Sequence, residues 1–363
     1  MTSARDLPVR DDLRGERPYG APLIDAAIRL NTNENPFAPS SELVGALTRR
    51  VTEAALTLNR YPDIEASRLR DALAQYVTDD TGRTVTSRQI WPANGSNEIL
   101  QQLLQAFGGP GRTALGFEPT YSMHRLICRG TGTRYHAAPR ATDFSLPVEL
   151  VARAVADIRP DVVFLCSPNN PTGSALAPEV VAAVCDATPG LVIVDEAYGE
   201  FSKQASAVTA LVDRPRLVVV RTMSKAFALA GARVGYAIAD PAVVETLQLV
   251  RLPYHLSSLT QAVALAALDH AGELLAHVDE LVVQRDRIST ELSGLGYAVA
   301  DSDANFVFFA VNDESAAWQS LLDRGVLVRD MGIPGYLRVT AGTAAETTAF
   351  LDAVRQIAKE NVA

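Results

Sequence analysis

Residues 217–231 read LVVVRTMSKAFALAG: an unbroken apolar run that ends in Arg221, Thr222, Met223, Ser224 and Lys225 before a second, mainly apolar stretch. A run that is hydrophobic at successive positions, rather than alternating, suits a strand buried on both faces, as in parallel sheets covered by helices. Lys225 is unusual within it. Of 33 lysines and arginines in the chain, only Lys203, Lys225 and Lys359 are lysines. Lys203 and Lys359 stand in polar surroundings, whereas Lys225 opens an apolar run. Arginine replaces lysine in most ion pairs but cannot act as a neutral amine nucleophile. The retained lysine therefore points to nucleophilic chemistry, against the plainer reading of a surface or salt-bridged side chain.

The flanking sequence repeats the strand pattern. IWPAN (90–94) leads through Gly95 into SNEILQQLLQAF, TALGF (113–117) into PTYSMHRLICRG, and DVVFLC (161–166) through SPNNPTG into APEVVAAVCDAT. LVIVDEAY (191–198) precedes the opening stretch, and RVGYAIA (233–239) follows a helix-like KAFALAG. Apolar strands alternating with helical segments predict an α/β fold with a mainly parallel sheet between helices. Before them, residues 41–77 read as helical, split by NRYPD at 59–63. After them, 259–292 reads as one long amphipathic stretch with Gly272 as a break, followed by ANFVFFAV, ESAAWQSLLDRG, the strands VLVRD and YLRVTAG, and a last helix from Ala344 to Lys359. The expected organisation is an N-terminal arm over 1–38, a large domain over 39–255 and a small C-terminal α+β domain over 256–363.

Bulk properties narrow the function. The chain has 363 residues, is 48% hydrophobic and carries a net charge of −9, which argues against nucleic acid or an anionic membrane as a partner. The first twenty residues lack the apolar core of a secretory signal, and no apolar run reaches the roughly 18 residues that a membrane span needs. Cys128, Cys166 and Cys185 are too few and too scattered for a disulfide framework or a zinc site, and Cys166 and Cys185 read as core thiols. The histidines show no metal-binding spacing, and none is assigned to catalysis. A cytoplasmic enzyme is expected.

Ligands of open α/β sheets bind beyond the carboxyl ends of the strands. The residues there are Gly95, Ser96 and Asn97 at a helix start; Asn170 within SPNNPTG; Asp195 and Tyr198 within DEAY; and Ser224 and Lys225. Small residues at a helix N-terminus allow close approach to a phosphate, though they equally suit an ordinary loop. An acid ending an apolar strand needs a cationic partner, because burying it alone is costly.

The ordered set NGSNE, PTY, SPNNPTG, VDEAY and SKAFALAGARVGY resembles the fold-type-I pyridoxal 5'-phosphate (PLP) transferases. RPYGAP, LNTNENPF, NRYPD, LPYHLSS and YLRVTAGT carry the likeness toward the histidinol-phosphate aminotransferase family. The resemblance covers nearly the whole chain and implies a large domain with a seven-stranded sheet. It further implies PLP bound to Lys225 as a Schiff base, with Asp195 at the pyridine nitrogen and Asn170 and Tyr198 at the ring's phenolic oxygen. By the same resemblance Tyr121 stacks on the ring, while Gly95, Ser96, Asn97, Ser224 and Arg233 hold the phosphate. Tyr61 reaches the cofactor of the other subunit, which implies a homodimer with shared active sites; RYPD is also a good turn.

The implied reaction is transamination between an amino donor, L-histidinol phosphate, and 2-oxoglutarate. Arg329 and Arg338 read as anion binders for the donor, with Tyr19, and Tyr254 from the other subunit, near its phosphate or imidazole. Arg329 could instead pair with Asp323 or Asp330. The main rival is an aromatic amino-acid aminotransferase. A decarboxylase acting on an amino-acid phosphate is a second. A PLP-dependent transcription regulator is disfavoured, because 1–38 is too short and too rich in Pro and Gly for a DNA-binding domain.

Overall fold

The computed structural model describes residues 7–14, 20 and 24–360. Tyr19 lies outside them. Among the described residues, a 3-10 turn (Asp11–Leu13) precedes strand β1 (Ile28–Arg29) and helices α1 (Ser41–Ala55) and α2 (Ser67–Thr81). The alternating part follows: β2 (Ile90–Ala93), α3 (Ser96–Phe107), β3 (Thr113–Glu118), α4 (Ser122–Thr131), β4 (Arg134–Pro139), α5 (Val148–Ile158), β5 (Val162–Cys166), α6 (Pro178–Ala187), β6 (Leu191–Asp195), β7 (Leu217–Thr222), β8 (Gly235–Ala239) and α7 (Pro241–Leu247). The C-terminal part holds α8 (Ser258–Asp269), α9 (Ala271–Gly294), β9 (Phe306–Ala310), α10 (Glu314–Asp323), β10 (Val326–Leu327), β11 (Arg329–Asp330), β12 (Tyr336–Thr340) and α11 (Ala344–Glu360).

Seven strands form the central sheet in the order β2-β8-β7-β6-β5-β3-β4. The pairs among β4, β3, β5, β6 and β7 are parallel, while β8 runs antiparallel to both β7 and β2. Strands β5, β6, β7 and β8 are buried at every position, as their continuous apolar sequences require. Apolar side chains pack on both faces: Val163, Leu165, Val192 and Val194 belong to one core cluster, and Phe164, Ile193, Val218 and Val220 to the other. Alternate residues of one strand thus serve opposite layers.

A second sheet of three antiparallel strands, β11-β12-β9, places Arg329 directly opposite Arg338. Within the segment read as an N-terminal arm, residues 28–29 form a strand. β1 pairs in parallel with β10, which anchors residues 28–29 to the C-terminal part.

Several local expectations change. KAFALAG is not a helix: after β7 the chain turns, with Leu229 N donating to Met223 O, and only Ala230–Ala232 forms a 3-10 turn. Burial of Ala226 and Phe227 in the core outweighs the helical composition. The break in the long C-terminal stretch falls at His270, between α8 and α9, and Gly272 lies inside α9. Cys128 is fully buried and Cys185 only partly so, the reverse of their sequence contexts.

Candidate active site

Polar residues at the ends of β5, β6 and β7 meet the three-stranded sheet and the segment after β1 across a cleft of about 230 Å³. Its walls include Asn33, Ser96, Asn97, Tyr121, Asn170, Asp195, Tyr198, Ser224, Lys225, Arg233, Arg329 and Arg338. The strand-end residues singled out by sequence are therefore brought together. Tyr61 and Tyr254 are not: they stack on each other, ring centroids 4.2 Å apart, on the exposed surface.

Lys225 reaches into the cleft half-buried. Its Nζ donates to the carbonyl of Thr32 at 3.0 Å and sits 6.0 Å from the centre of the Tyr198 ring. Its pKa is brought down to about 8, chiefly by burial, with Arg338 and Arg233 acting in the same direction and Glu34 opposing them. A lysine in this state is partly neutral near physiological pH, which an attacking amine requires.

Asp195 ends β6 and is only 2% exposed. Its Oδ1 accepts from the backbone N–H of Ala197 at 3.1 Å, and its Oδ2 faces Nε2 of His124, also at 3.1 Å. The His124 ring is itself held, stacked on Phe164 at 4.6 Å and edge-on to Tyr121 at 5.5 Å. His124 is thus a site residue that the sequence reading left unassigned. Its one local signal is its place three residues after Tyr121, one turn into the helix that leaves β3.

The next residue, Glu196, points to the other side of the sheet and meets Arg221, whose Nε donates to Glu196 at 3.1 Å and whose Nη1 donates to Asp80 at 2.7 Å. Glu200 lies in the same buried cluster, and burial raises its pKa to about 7. The two acids that end β6 each have a partner, on opposite faces.

At the phosphate-cradle end, Gly95 has φ +83°, and a Cβ there would lie 2.7 Å from the Arg233 guanidinium. The conformation favours glycine, and a side chain there would displace the end of Arg233. A Cβ at Gly235 would meet the Ser96 backbone nitrogen at 2.4 Å, so a second glycine lets the start of α3 press against β8. The Ser224 hydroxyl accepts from Thr222 at 2.9 Å and from Arg233 at 3.4 Å. Asn97 accepts from the Tyr121 hydroxyl at 3.3 Å. Helix N–H groups, a guanidinium and hydroxyls facing one volume form an anion site.

Asn33, also unassigned from sequence, is buried with φ 55° and donates to the Tyr198 hydroxyl at 2.8 Å. Thr340 and Asn305 hold Asn33 in turn. Burial pushes the Tyr198 phenol up, so it stays protonated. Arg338 donates to Asn170 Oδ1 at 2.6 Å and to the Asn31 carbonyl at 2.9 Å, with its guanidinium 5.1 Å from the centre of the Phe306 ring. Arg329 donates to the Gly20 carbonyl at 3.0 Å, and its buried Nη1 has no hydrogen-bond partner among the described residues. Among the described residues it makes no ion pair with Asp323 or Asp330. His255 stacks on Trp91 at 5.4 Å and does not line the cleft.

Comparison with known proteins gives the family. Residues 25–354 match the family of class I and II aminotransferases. The histidinol-phosphate aminotransferase of Frankia casuarinae is 62% identical over 97% of this chain and 90% of its own length. That of Corynebacterium glutamicum strain ATCC 13032 is 54% identical over 98% of both chains. Among solved structures, the histidinol-phosphate aminotransferase of Sinorhizobium meliloti in complex with pyridoxal 5'-phosphate superposes with a TM-score of 0.81 at 26% identity, over 92% of this chain and 91% of that one. A chain matched along nearly its whole length, with a lysine and a buried acid at adjacent strand ends facing one cleft, belongs to the class I and II aminotransferases.

Proposed function

We propose that the chain acts as a cytoplasmic homodimer that transfers the amino group of L-histidinol phosphate to 2-oxoglutarate, giving imidazole acetol phosphate and L-glutamate, a step of histidine biosynthesis. The observation that carries this reading is the register of β11 and β12, which sets Arg329 opposite Arg338 at the cleft that also holds Lys225. Two guanidiniums suit a phosphate dianion; a single carboxylate needs one.

The cleft fits pyridoxal 5'-phosphate. Asp195 is a buried carboxylate lining the cleft, Arg233 lies against the positive-φ Gly95 at the start of α3, and Lys225 lines the same cleft. When bound, the cofactor supplies an aldehyde that condenses with amines and a ring that withdraws electrons from the donor's α-carbon. Lys225 would hold it through its amine and would carry a proton to and from that α-carbon. Asp195, oriented by His124, would hold a proton on the ring nitrogen. Asn170 and Tyr198 would bind the ring oxygen, with Asn33 fixing the Tyr198 hydroxyl. Tyr121 would pack on the ring, and Ser96, Asn97, Ser224 and Arg233 would hold the phosphate.

The remaining roles belong to the same proposal. Tyr19 would approach the donor. Tyr61 and Tyr254 would enter the cleft of the partner subunit, a reading supported by their exposure, by their stacking on each other, and by the exposure of Leu56, Leu58, Leu249 and Leu252 near them in sequence. The division into 1–38, 39–255 and 256–363 is likewise ours. It is modified by the β1–β10 pairing, which ties the arm to the third block.

The test compares turnover of histidinol phosphate and phenylalanine at equal concentration, with 2-oxoglutarate as acceptor. Faster turnover of histidinol phosphate is expected. Preference for phenylalanine would move the chain to the aromatic amino-acid aminotransferases.

A further inference from the structure

Among the described residues lining the cleft, six carry charge: Glu34, Asp195, Lys225, Arg233, Arg329 and Arg338. The reading above uses five. Glu34 is the remaining one, and its position is not accidental. Its Oε2 accepts from the Thr32 hydroxyl at 3.0 Å, and the carbonyl of the same Thr32 accepts from Lys225 Nζ at 3.0 Å. One short turn therefore places a carboxylate beside the reacting amine, close enough that its field opposes the lowering of the Lys225 pKa. No other hydrogen bond to Glu34 is made among the described residues, and the side chain is exposed on the cleft wall.

With the donor's phosphate at Arg329 and Arg338 and its amine at Lys225, the part left to recognise is the imidazole. An imidazole carries at least one N–H donor when neutral and two when protonated, whereas a phenyl ring carries none. A carboxylate covered by a ring without a donor loses its water and gains no hydrogen bond, so it discriminates strongly against such a ring. The same carboxylate repels the acidic end of 2-oxoglutarate and leaves the arginines as that group's place.

We propose that Glu34 is the specificity residue of the donor half-reaction, its carboxylate accepting a ring N–H of the imidazole. The inference rests on the proposed function and deepens it.

The test measures kcat/KM of the cofactor-loaded protein, Glu34→Ala and Glu34→Gln for histidinol phosphate and for phenylalanine, with the visible absorbance of the lysine-bound cofactor recorded for each. Glu34→Ala should lose about 10- to 100-fold with histidinol phosphate, the worth of a charged hydrogen bond. Glu34→Gln, which keeps a neutral acceptor, should lose less. Phenylalanine turnover should hold or rise in both, and the cofactor absorbance should be retained. An equal loss with both donors would overturn the proposal, because Glu34 would then act through Lys225. No loss with either would overturn it too. A wild-type protein that binds cofactor yet turns over phenylalanine and not histidinol phosphate would remove the donor assignment itself, and the role of Glu34 with it, a failure distinguishable from the other two.

Discussion

Asp195 and Glu196 are neighbours in sequence and opposites in the structure. Glu196 faces a closed cluster, in which both of its oxygens accept hydrogen bonds, from Ala207, Ser206 and Arg221, and Arg221 in turn reaches Asp80. Asp195 faces the cleft, where His124 and one backbone N–H orient it and one side is left for a ligand. The strand alternation that sends successive side chains to opposite faces separates a closed ion cluster from an acid that lines the cleft with a single step along the chain. The closed side holds the ends of β6 and β7 in place; the open side uses the precision that results.

The largest effect expected from breaking this division is on the closed side. Arg221→Met leaves the buried carboxylates Glu196 and Glu200 without their cation, and such a loss costs about 3–5 kcal/mol. Chemical denaturation should show that drop, and the purified variant should bind cofactor poorly because Lys225 follows the same strand. If stability is unchanged, the cluster is not what holds the strand ends.

On the open side the cost should fall on activity instead. His124→Phe keeps the stacking on Phe164 and removes the contact with Asp195. Its kcat/KM should fall by roughly 10-fold, near the worth of one charge-assisted hydrogen bond, with little change in the denaturation midpoint. A stability loss without an activity loss would make His124 a core residue only.

The smallest effect is a pH dependence. Burial raises the Glu200 pKa from its ordinary value near 4.5 to about 7. Between those values the folded chain holds a proton that the unfolded chain has released. The stabilising contribution of Glu200 is therefore full below about 4.5 and is lost as the pH rises through about 7. Glu200→Gln should flatten this slope, so that its melting temperature relative to wild type improves from pH 5 to pH 8. A constant difference across that range would contradict the assignment.

Much of this was readable in the residues. Strands β5 to β8 announce themselves by continuous apolar runs, and the polar residues that interrupt those runs (Asn170, Asp195, Ser224, Lys225) are the ones at the cleft. Partners brought from far along the chain were not readable. His124 lies 71 residues from Asp195, and Asn33 lies 165 from Tyr198, so no local pattern marks either pairing. Strand β4 was missed because it is an edge strand with no buried position, and its residues carry no apolar run. The KAFALAG segment misled because its composition is helical, while the chain must turn there to present Lys225, with Ala228 and Arg233 in the left-handed region.

The central claim concerns Lys225. The direct measurement is to add pyridoxal 5'-phosphate to the purified protein, reduce the adduct with borohydride, digest it and locate the modified lysine by mass spectrometry. The structure offers three lysines, of which only Lys225 lines the cleft. Stoichiometric labelling of Lys225, absent in Lys225→Ala, is the predicted result. Labelling spread over Lys203 and Lys359, or no uptake at all, would contradict the account.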